Sequence, residues 1–99
     1  MTSSEYCLRH VGIPTVKYSE TIAFYEKLGF LKTYETMNNG AGRPVVFMSR
    51  DKVVFEVYEV AESTMAAGAI DHIAIAVSDV TVIYKELCEK GIPILEDIT

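Results

Sequence analysis

Hydrophobic residues recur in six short stretches of this chain, either alternating with polar residues or in short continuous runs, and both patterns predict β-strands. The predicted strands lie at about residues 8–14, 30–36, 44–50, 53–60, 70–77 and 92–96. Turn residues at Asn38–Gly42 and Arg50–Lys52 separate the second, third and fourth of these strands. Apolar residues at helical spacing predict one helix between the first two strands and another between the last two.

Each predicted helix begins with a polar pair and ends at a glycine, as helices commonly do. Ser19–Glu20 and Gly29 bound the first helix, and Ser78–Asp79 and Gly91 bound the second. The apolar stripes of the two helices are Ile22, Phe24, Tyr25 and Leu28, and Val80, Ile83, Tyr84 and Leu87. The predicted order of elements is therefore β-α-β-β-β followed by β-α-β.

The second half of the chain repeats the beginning of the first at a constant offset. His10 and His72 are 62 residues apart, and Gly29 and Gly91 are separated by the same 62 residues. Each histidine is followed by an apolar, a small and then an apolar residue. Two anchors at one offset, with matching periodicity between them, indicate an internal repeat.

The repeat predicts a single domain, residues 1–99, built from two modules. Module one covers about residues 7–60, a linker of small and polar residues covers 61–69, and a partial module two covers about 69–99. At the same offset, the hairpin that completes module two would fall at about positions 105–122. Either that hairpin is absent, or another chain supplies it.

Strand alternation places three chemically active side chains on the sheet face that carries no helix. Val11 and Ile13 face the helix, which turns His10 to the opposite face, and His72 holds the equivalent position in the repeat. Glu56 lies centrally in an apolar strand, where a carboxylate is costly to bury without a partner. If the two modules curve into an open cup, these two imidazoles and one carboxylate converge. Such a set suits zinc, iron(II), manganese or nickel.

Length and charge restrict the classes of partner. A chain of 99 residues is one domain, and its 49% hydrophobic content is that of a globular protein. The net charge of −5 argues against nucleic acid and against anionic membranes, both of which favour a basic surface. The N-terminus predicts no signal peptide, and two cysteines, Cys7 and Cys88, fit a reducing cytoplasm. Small molecules and other proteins remain as partners.

Four segments of the sequence form a recognisable set: Leu8–Ile13, Thr21–Phe30, Val54–Val57 and Asp71–Ile75. Together they resemble the vicinal oxygen chelate superfamily, which includes glyoxalase I, bleomycin-resistance proteins and extradiol dioxygenases. The similarity covers about residues 7–97, and Phe24–Phe30 is its most recognisable string. It implies an α+β fold of glyoxalase-like paired βαβββ modules, with the second module truncated to βαβ.

The resemblance also implies a ligand set. In metal-dependent members the metal ligands come from the first and last strand of each module, which here gives His10, Glu56 and His72. A fourth carboxylate would fall near position 118, beyond this sequence. Glu56 is then the one matched carboxylate that could also move a proton, as a catalytic residue. The implied partners are a divalent metal, a small-molecule substrate and a second copy of the chain in a homodimer.

Three functions are compatible with the sequence. The first is a metal-dependent enzyme that binds vicinal oxygens of a substrate, with lactoylglutathione lyase-like or dioxygenase-like chemistry. The second is a metal-free, bleomycin-resistance-like protein that binds a small molecule. The third is a truncated module without activity. The presence of His10, Glu56 and His72 together favours the metal-dependent enzyme. The sequence does not indicate which reaction that enzyme would catalyse.

Overall fold

The computed structural model describes residues 6–38, 40–70 and 72–95. The chain divides into two compact units, Met1–Ala66 and Ala67–Thr99, which are described separately. The division falls within the predicted linker, 61–69. Among the described residues, no helix has the length and hydrophobicity needed to cross a membrane.

The first unit is a four-stranded sheet with one helix. Its strands are β1 (Val11–Thr15), β2 (Leu31–Asn38), β3 (Arg43–Arg50) and β4 (Val53–Glu59), and α1 (Tyr18–Lys27) connects β1 to β2. The strand order is β1-β4-β3-β2, with β1 parallel to β4 and the other two pairs antiparallel. The predicted β-α-β-β-β order and the α+β class are confirmed.

The core of the first unit lies between α1 and one face of the sheet. Its apolar residues alternate along β3 and β4, so that every second side chain points at the helix. Phe24 of the predicted helix stripe is 44% exposed, because it lies two residues after Ile22 and so on the far side of the helix. The buried core residues are Ile22, Phe30, Val46, Met48, Phe55 and Val57.

The connection from β1 to α1 is held by a buried threonine rather than by the predicted Ser19–Glu20 pair. Thr15 is fully buried, and its hydroxyl lies 2.8 Å from that of Thr21. Thr15 Oγ1 also accepts a hydrogen bond from the Lys17 backbone N–H at 2.9 Å. Helix α1 therefore begins at Tyr18, and Lys17 at the N-cap makes no side-chain cap.

A glycine ends the turn after α1, as predicted. Gly29 has φ of +87°, a left-handed conformation that residues with a side chain rarely adopt. Arg50, at the end of β3, donates from Nη1 to the Leu28 carbonyl oxygen at 2.6 Å. A Cβ on Gly29 would lie 2.9 Å from that nitrogen. The absent side chain thus makes room for the arginine that ties the turn to the sheet.

Strand β2 contains an irregularity that the sequence pattern did not predict. Its register against β3 shifts between Lys32 and Tyr34. The shift brings Lys32 and Glu35 to the same side of the strand, where their charged groups lie 3.4 Å apart. All residues of β2, which is one of the two edge strands of the sheet, are exposed.

The second unit contains α2 (Val80–Glu89), which Asp79 caps as predicted. The Asp79 carboxylate accepts hydrogen bonds from the backbone N–H groups of Thr81 at 3.0 Å and Val82 at 3.3 Å. Residues Ile83, Tyr84 and Leu87 of its predicted stripe are half-buried, and no residue of the helix is fully buried.

The strands predicted at 70–77 and 92–96 are not formed among the residues described there, 70, 72–77 and 92–95; Asp71 and Glu96 lie outside the described residues. In the first unit β1 pairs with β4, and β2 pairs with β3. By the repeat, both partner strands of the second module would lie beyond residue 99. Inter-strand hydrogen bonds define a strand, and among the described residues no strand pairs with either of these segments.

Candidate functional site

The sheet face opposite α1 carries a carboxylate at its centre. Glu56 lies on β4 between Phe55 and Val57, which point into the core, so its own side chain points to the other face. Its neighbours in register are Gly12 on β1 and Phe47 on β3. Glu56 is thus flanked by a residue without a side chain on one side and by an aromatic ring on the other.

His10 lies on the same face, one residue before β1 begins. Its Nε2 is 3.8 Å from Glu56 Oε1, and the two side chains are 38% and 30% exposed. The His10 ring meets the Phe47 ring edge-on, with centroids 5.3 Å apart and an interplanar angle of 88°. The imidazole is therefore packed on one side and open to solvent on another, next to the carboxylate.

An open pocket of about 220 Å³ lies beside Glu56. Val45 is nearly fully buried and gives the pocket an apolar wall. The remaining lining residues are polar or lack a side chain. The pocket is lined by Gly12, Asn38, Val45, Glu56 and Tyr58.

The glycine in β1 gives this pocket its depth. A Cβ on Gly12 would lie 3.4 Å from Tyr58 Cε1 and 3.9 Å from Glu56 Oε1. The tyrosine ring thus lies close over the backbone of β1, next to the carboxylate. A larger side chain at position 12 would occupy the space between the phenol and the carboxylate.

Strand alternation predicted that His10 and Glu56 share a face of the sheet, but most of the residues that line the pocket were not predicted. Asn38 was expected in a turn, but it ends β2, where it pairs with Arg43. Tyr58 follows Glu56 by two residues on β4, so strand alternation alone places it on the same face. The pocket could not be predicted from that alternation, since its lining comes from four strands held in register.

His72 belongs to the second unit, where it is exposed at the start of residues 72–77. Its predicted role as a metal ligand therefore stays a prediction. Within the part of the first unit that the structure describes, 6–38 and 40–66, no third His, Cys, Asp or Glu side chain joins His10 and Glu56 in a metal-binding group. That unit by itself supplies two of the three predicted donors.

Comparisons with known proteins agree with this fold. The sequence profile of the Glyoxalase/Bleomycin resistance protein/Dioxygenase superfamily matches residues 8–99. None of the curated proteins matches the chain.

Two solved structures share the architecture. A glyoxalase family protein from Enterococcus faecalis is 21% identical, with a TM-score of 0.64 over 92% of this chain and 75% of its own. The crystal structure of SMU.1112c is 18% identical, with a TM-score of 0.60 over 87% of this chain and 75% of its own. At these identities the two structures support the fold alone. The profile match, which spans nearly the whole sequence, shows that this chain belongs to the Glyoxalase/Bleomycin resistance protein/Dioxygenase superfamily.

Proposed function

We propose that this chain is a metal-dependent enzyme of the glyoxalase or lyase type, which binds vicinal oxygens of a small-molecule substrate on a divalent ion. The observation that carries the proposal is the approach of His10 Nε2 to Glu56 Oε1, 3.8 Å apart on an open sheet face. An imidazole and a carboxylate side by side are ligands that zinc, nickel, iron(II) and manganese all accept.

The donors that the first unit provides fit such an ion. Both side chains are partly exposed, so an ion can reach them from solvent, and Phe47 packs against the His10 ring and restricts its orientation. His72 is the proposed third ligand, because it holds the position of His10 in the 62-residue repeat. When bound, the metal would supply Lewis-acid polarisation of a substrate carbonyl.

The side chains of the open face would then bind and orient the substrate. Glu56 lies at the boundary between the proposed metal site and the pocket, so its carboxylate is also placed to take a proton from a ligand bound there. Val45 supplies apolar surface in the pocket, and Phe47 supplies it beside Glu56 on the neighbouring strand. Isomerase, lyase and ring-cleaving chemistry would all use this arrangement, and a dioxygenase would require iron(II).

A metal-free binding protein of the bleomycin-resistance type is the second candidate. The pocket beside Glu56 favours it, because that pocket is formed by strands of the first unit and needs no metal for its shape. A truncated, inactive module is the third reading. The absence of strand pairing in the described residues 72–77 and 92–95 is what favours it.

Metal content per chain distinguishes these functions. Protein purified without a histidine tag should contain close to one divalent ion per chain by elemental analysis, and His10→Ala, Glu56→Gln and His72→Ala should each lose it. Glu59→Gln is the matched control, because Glu59 lies three residues further along β4 and pairs with Arg43 at 3.2 Å. Absence of metal after incubation with nickel, zinc and iron(II) would contradict the enzyme proposal and leave the binding protein or the inactive module.

We also propose a homodimer in a reducing compartment, the cytoplasm. The exposed apolar side chains of edge strand β2 support self-association, among them Leu31 at 70% and Tyr34 at 60% exposure. Cys7 and Cys88 are both free and exposed, which suits a reducing environment. Light scattering coupled to size-exclusion chromatography should give twice the 11.0 kDa mass of the chain; a monomer at micromolar concentration would refute the dimer.

A further inference from the structure

The end of the pocket away from His10 is formed by two neutral polar side chains, Asn38 and Tyr58. Neither side chain is a proposed metal ligand, and neither takes part in the proposed proton transfer. Their hydrogen-bonding state and the charges around them restrict what this end of the pocket can bind.

The carbonyl oxygen of Asn38 is already occupied. Asn38 Oδ1 accepts hydrogen bonds from the backbone N–H of Gly40 at 3.0 Å and from that of Ala41 at 3.3 Å. These bonds hold the β2–β3 turn and fix the orientation of the amide. The amino group of the same side chain, a donor only, is the part that remains for a ligand.

Tyr58 presents a hydroxyl to the same pocket. It pairs with Val45 across the β3–β4 ladder, and its ring lies over Gly12, where a Cβ would be 4.0 Å from the hydroxyl oxygen. Within residues 6–38, 40–70 and 72–95 this hydroxyl makes no hydrogen bond. It can therefore donate to a ligand oxygen without breaking a bond inside the protein.

The charge of the pocket disfavours an anion. Its lining contains one carboxylate, Glu56, and no lysine, arginine or histidine. Arg43, which pairs in register with Asn38, is committed to Glu59 through Nη1 and Oε1 at 3.2 Å. In the metal-free chain, a ligand carboxylate or phosphate in the pocket would meet Glu56 without a compensating charge from the lining.

We propose that Asn38 and Tyr58 form a subsite for an uncharged carbonyl group, such as an amide, ester or ketone, and that in the metal-free chain this subsite selects neutral over anionic ligands. Two neutral donors, the Asn38 amino group and the Tyr58 hydroxyl, line the same pocket as the apolar side chain of Val45. The inference rests on the proposed function in that it describes the small-molecule substrate of the same site. It adds the class of that substrate, a neutral carbonyl compound.

The test compares pyruvamide with pyruvate, which have the same number of heavy atoms and differ in charge. Both are titrated into the full chain, treated with EDTA to remove metal, and followed by ¹H–¹⁵N NMR. We expect pyruvamide to bind at least about threefold more tightly than pyruvate and to shift resonances of β4 and of the β2–β3 turn. Equal affinity, or tighter binding of pyruvate, would overturn the proposal.

Two variants test which side chains cause the selectivity for pyruvamide. Tyr58→Phe keeps the ring and removes the donor, so pyruvamide affinity should fall about three- to tenfold. Asn38→Asp keeps the acceptor that holds Gly40 and Ala41 and replaces the free donor by a charge, so it should weaken pyruvamide binding as well. Tyr34→Phe is the control, because Tyr34 carries the same hydroxyl outside the pocket lining. Unchanged affinity in Tyr58→Phe would refute the role of the hydroxyl.

The same variants separate this proposal from that of the metal site. Tyr58→Phe should bind nickel like the unaltered chain in a calorimetric titration, whereas Glu56→Gln should not. Selectivity for pyruvamide without metal uptake would support the subsite and refute the metalloenzyme. Metal uptake without selectivity would refute the subsite alone.

Discussion

Gly12 and Glu56 face each other in register across the parallel β1–β4 ladder, and the glycine leaves the carboxylate open to the pocket. A Cβ at position 12 would lie 3.9 Å from Glu56 Oε1 and 3.4 Å from Tyr58 Cε1. Both distances are ordinary van der Waals contacts, so a single methyl group fits. A branched side chain would extend further into the space between the carboxylate and the phenol.

Gly12→Val should therefore block ligand binding and preserve the fold. The valine methyl groups would fill the space between Glu56 and Tyr58, and valine suits a strand better than glycine does. We expect pyruvamide binding to fall below detection in NMR titrations. Gly12→Ala is the matched control and should lose no more than about threefold, since its one methyl group makes ordinary contacts. Full binding in Gly12→Val would show that the ligand lies elsewhere.

Strand alternation predicted the first unit well because its side chains separate cleanly into two faces. Val11, Ile13, Phe55 and Val57 pack on the helix side, which turns His10 and Glu56 to the other face as predicted. Alternation predicts which face of the sheet a residue lies on, but not which residues of other strands it contacts. It therefore could not predict the contact of His10 with Phe47. That contact depends on β3 lying beside β4 in the observed register.

Other features depend on interactions that a local pattern does not contain. The bulge between Lys32 and Tyr34 keeps both residues in β2, but it shifts the register against β3 and brings Lys32 and Glu35 to the same side of the strand. The strands predicted at 70–77 and 92–96 are not formed among the described residues, for a related reason. Ile73, Ile75 and Val77 alternate as a strand does, but alternation is necessary and not sufficient, because a strand also needs a hydrogen-bonded partner.

Met48 should be the most sensitive position of the core to truncation. It is fully buried on β3 and belongs to the cluster that packs under α1. Met48→Ala should lower the free energy of unfolding by about 2–5 kcal/mol, because it leaves a cavity that the sheet cannot close. Urea unfolding followed by circular dichroism measures this. Met37→Ala, the same truncation at a side chain that is 51% exposed, should cost less than about 0.5 kcal/mol.

The Gly29–Arg50 contact can be tested with a double-mutant cycle. Gly29→Ala imposes a left-handed conformation on a residue with a side chain and displaces the guanidinium from the Leu28 carbonyl, for a total of about 2–3 kcal/mol. In an Arg50→Ala background the same substitution should cost only about 1 kcal/mol, because the hydrogen bond is already gone. Urea unfolding of the unaltered chain, the two single variants and the double variant gives the coupling free energy between the two positions. Additive costs would show that the arginine moves aside freely.

The stability of the first unit should decline at alkaline pH through its tyrosines. Burial raises the pKa of Tyr25 above its ordinary value of 10.0. Burial, followed by the negative charges of Glu35 and Glu59, raises that of Tyr18. In the unfolded chain these phenols lose their protons near pH 10, while in the folded chain they keep them to higher pH. The unfolded state then binds fewer protons, so the stabilisation is complete below about pH 10 and is lost as pH rises toward the folded pKa.

Tyr25→Phe should remove part of this dependence, because phenylalanine keeps the packing against Phe30 and Phe55 and has no proton to lose. The free energy of unfolding in urea, measured at steps between about pH 8 and about pH 11, should fall less steeply in the variant than in the unaltered chain. Tyr34→Phe, at a tyrosine that is 60% exposed, serves as the control and should leave the slope unchanged. Identical slopes in Tyr25→Phe and the unaltered chain would show that Tyr25 ionises equally in both states, and that its packing against Phe30 and Phe55 does not hold its proton.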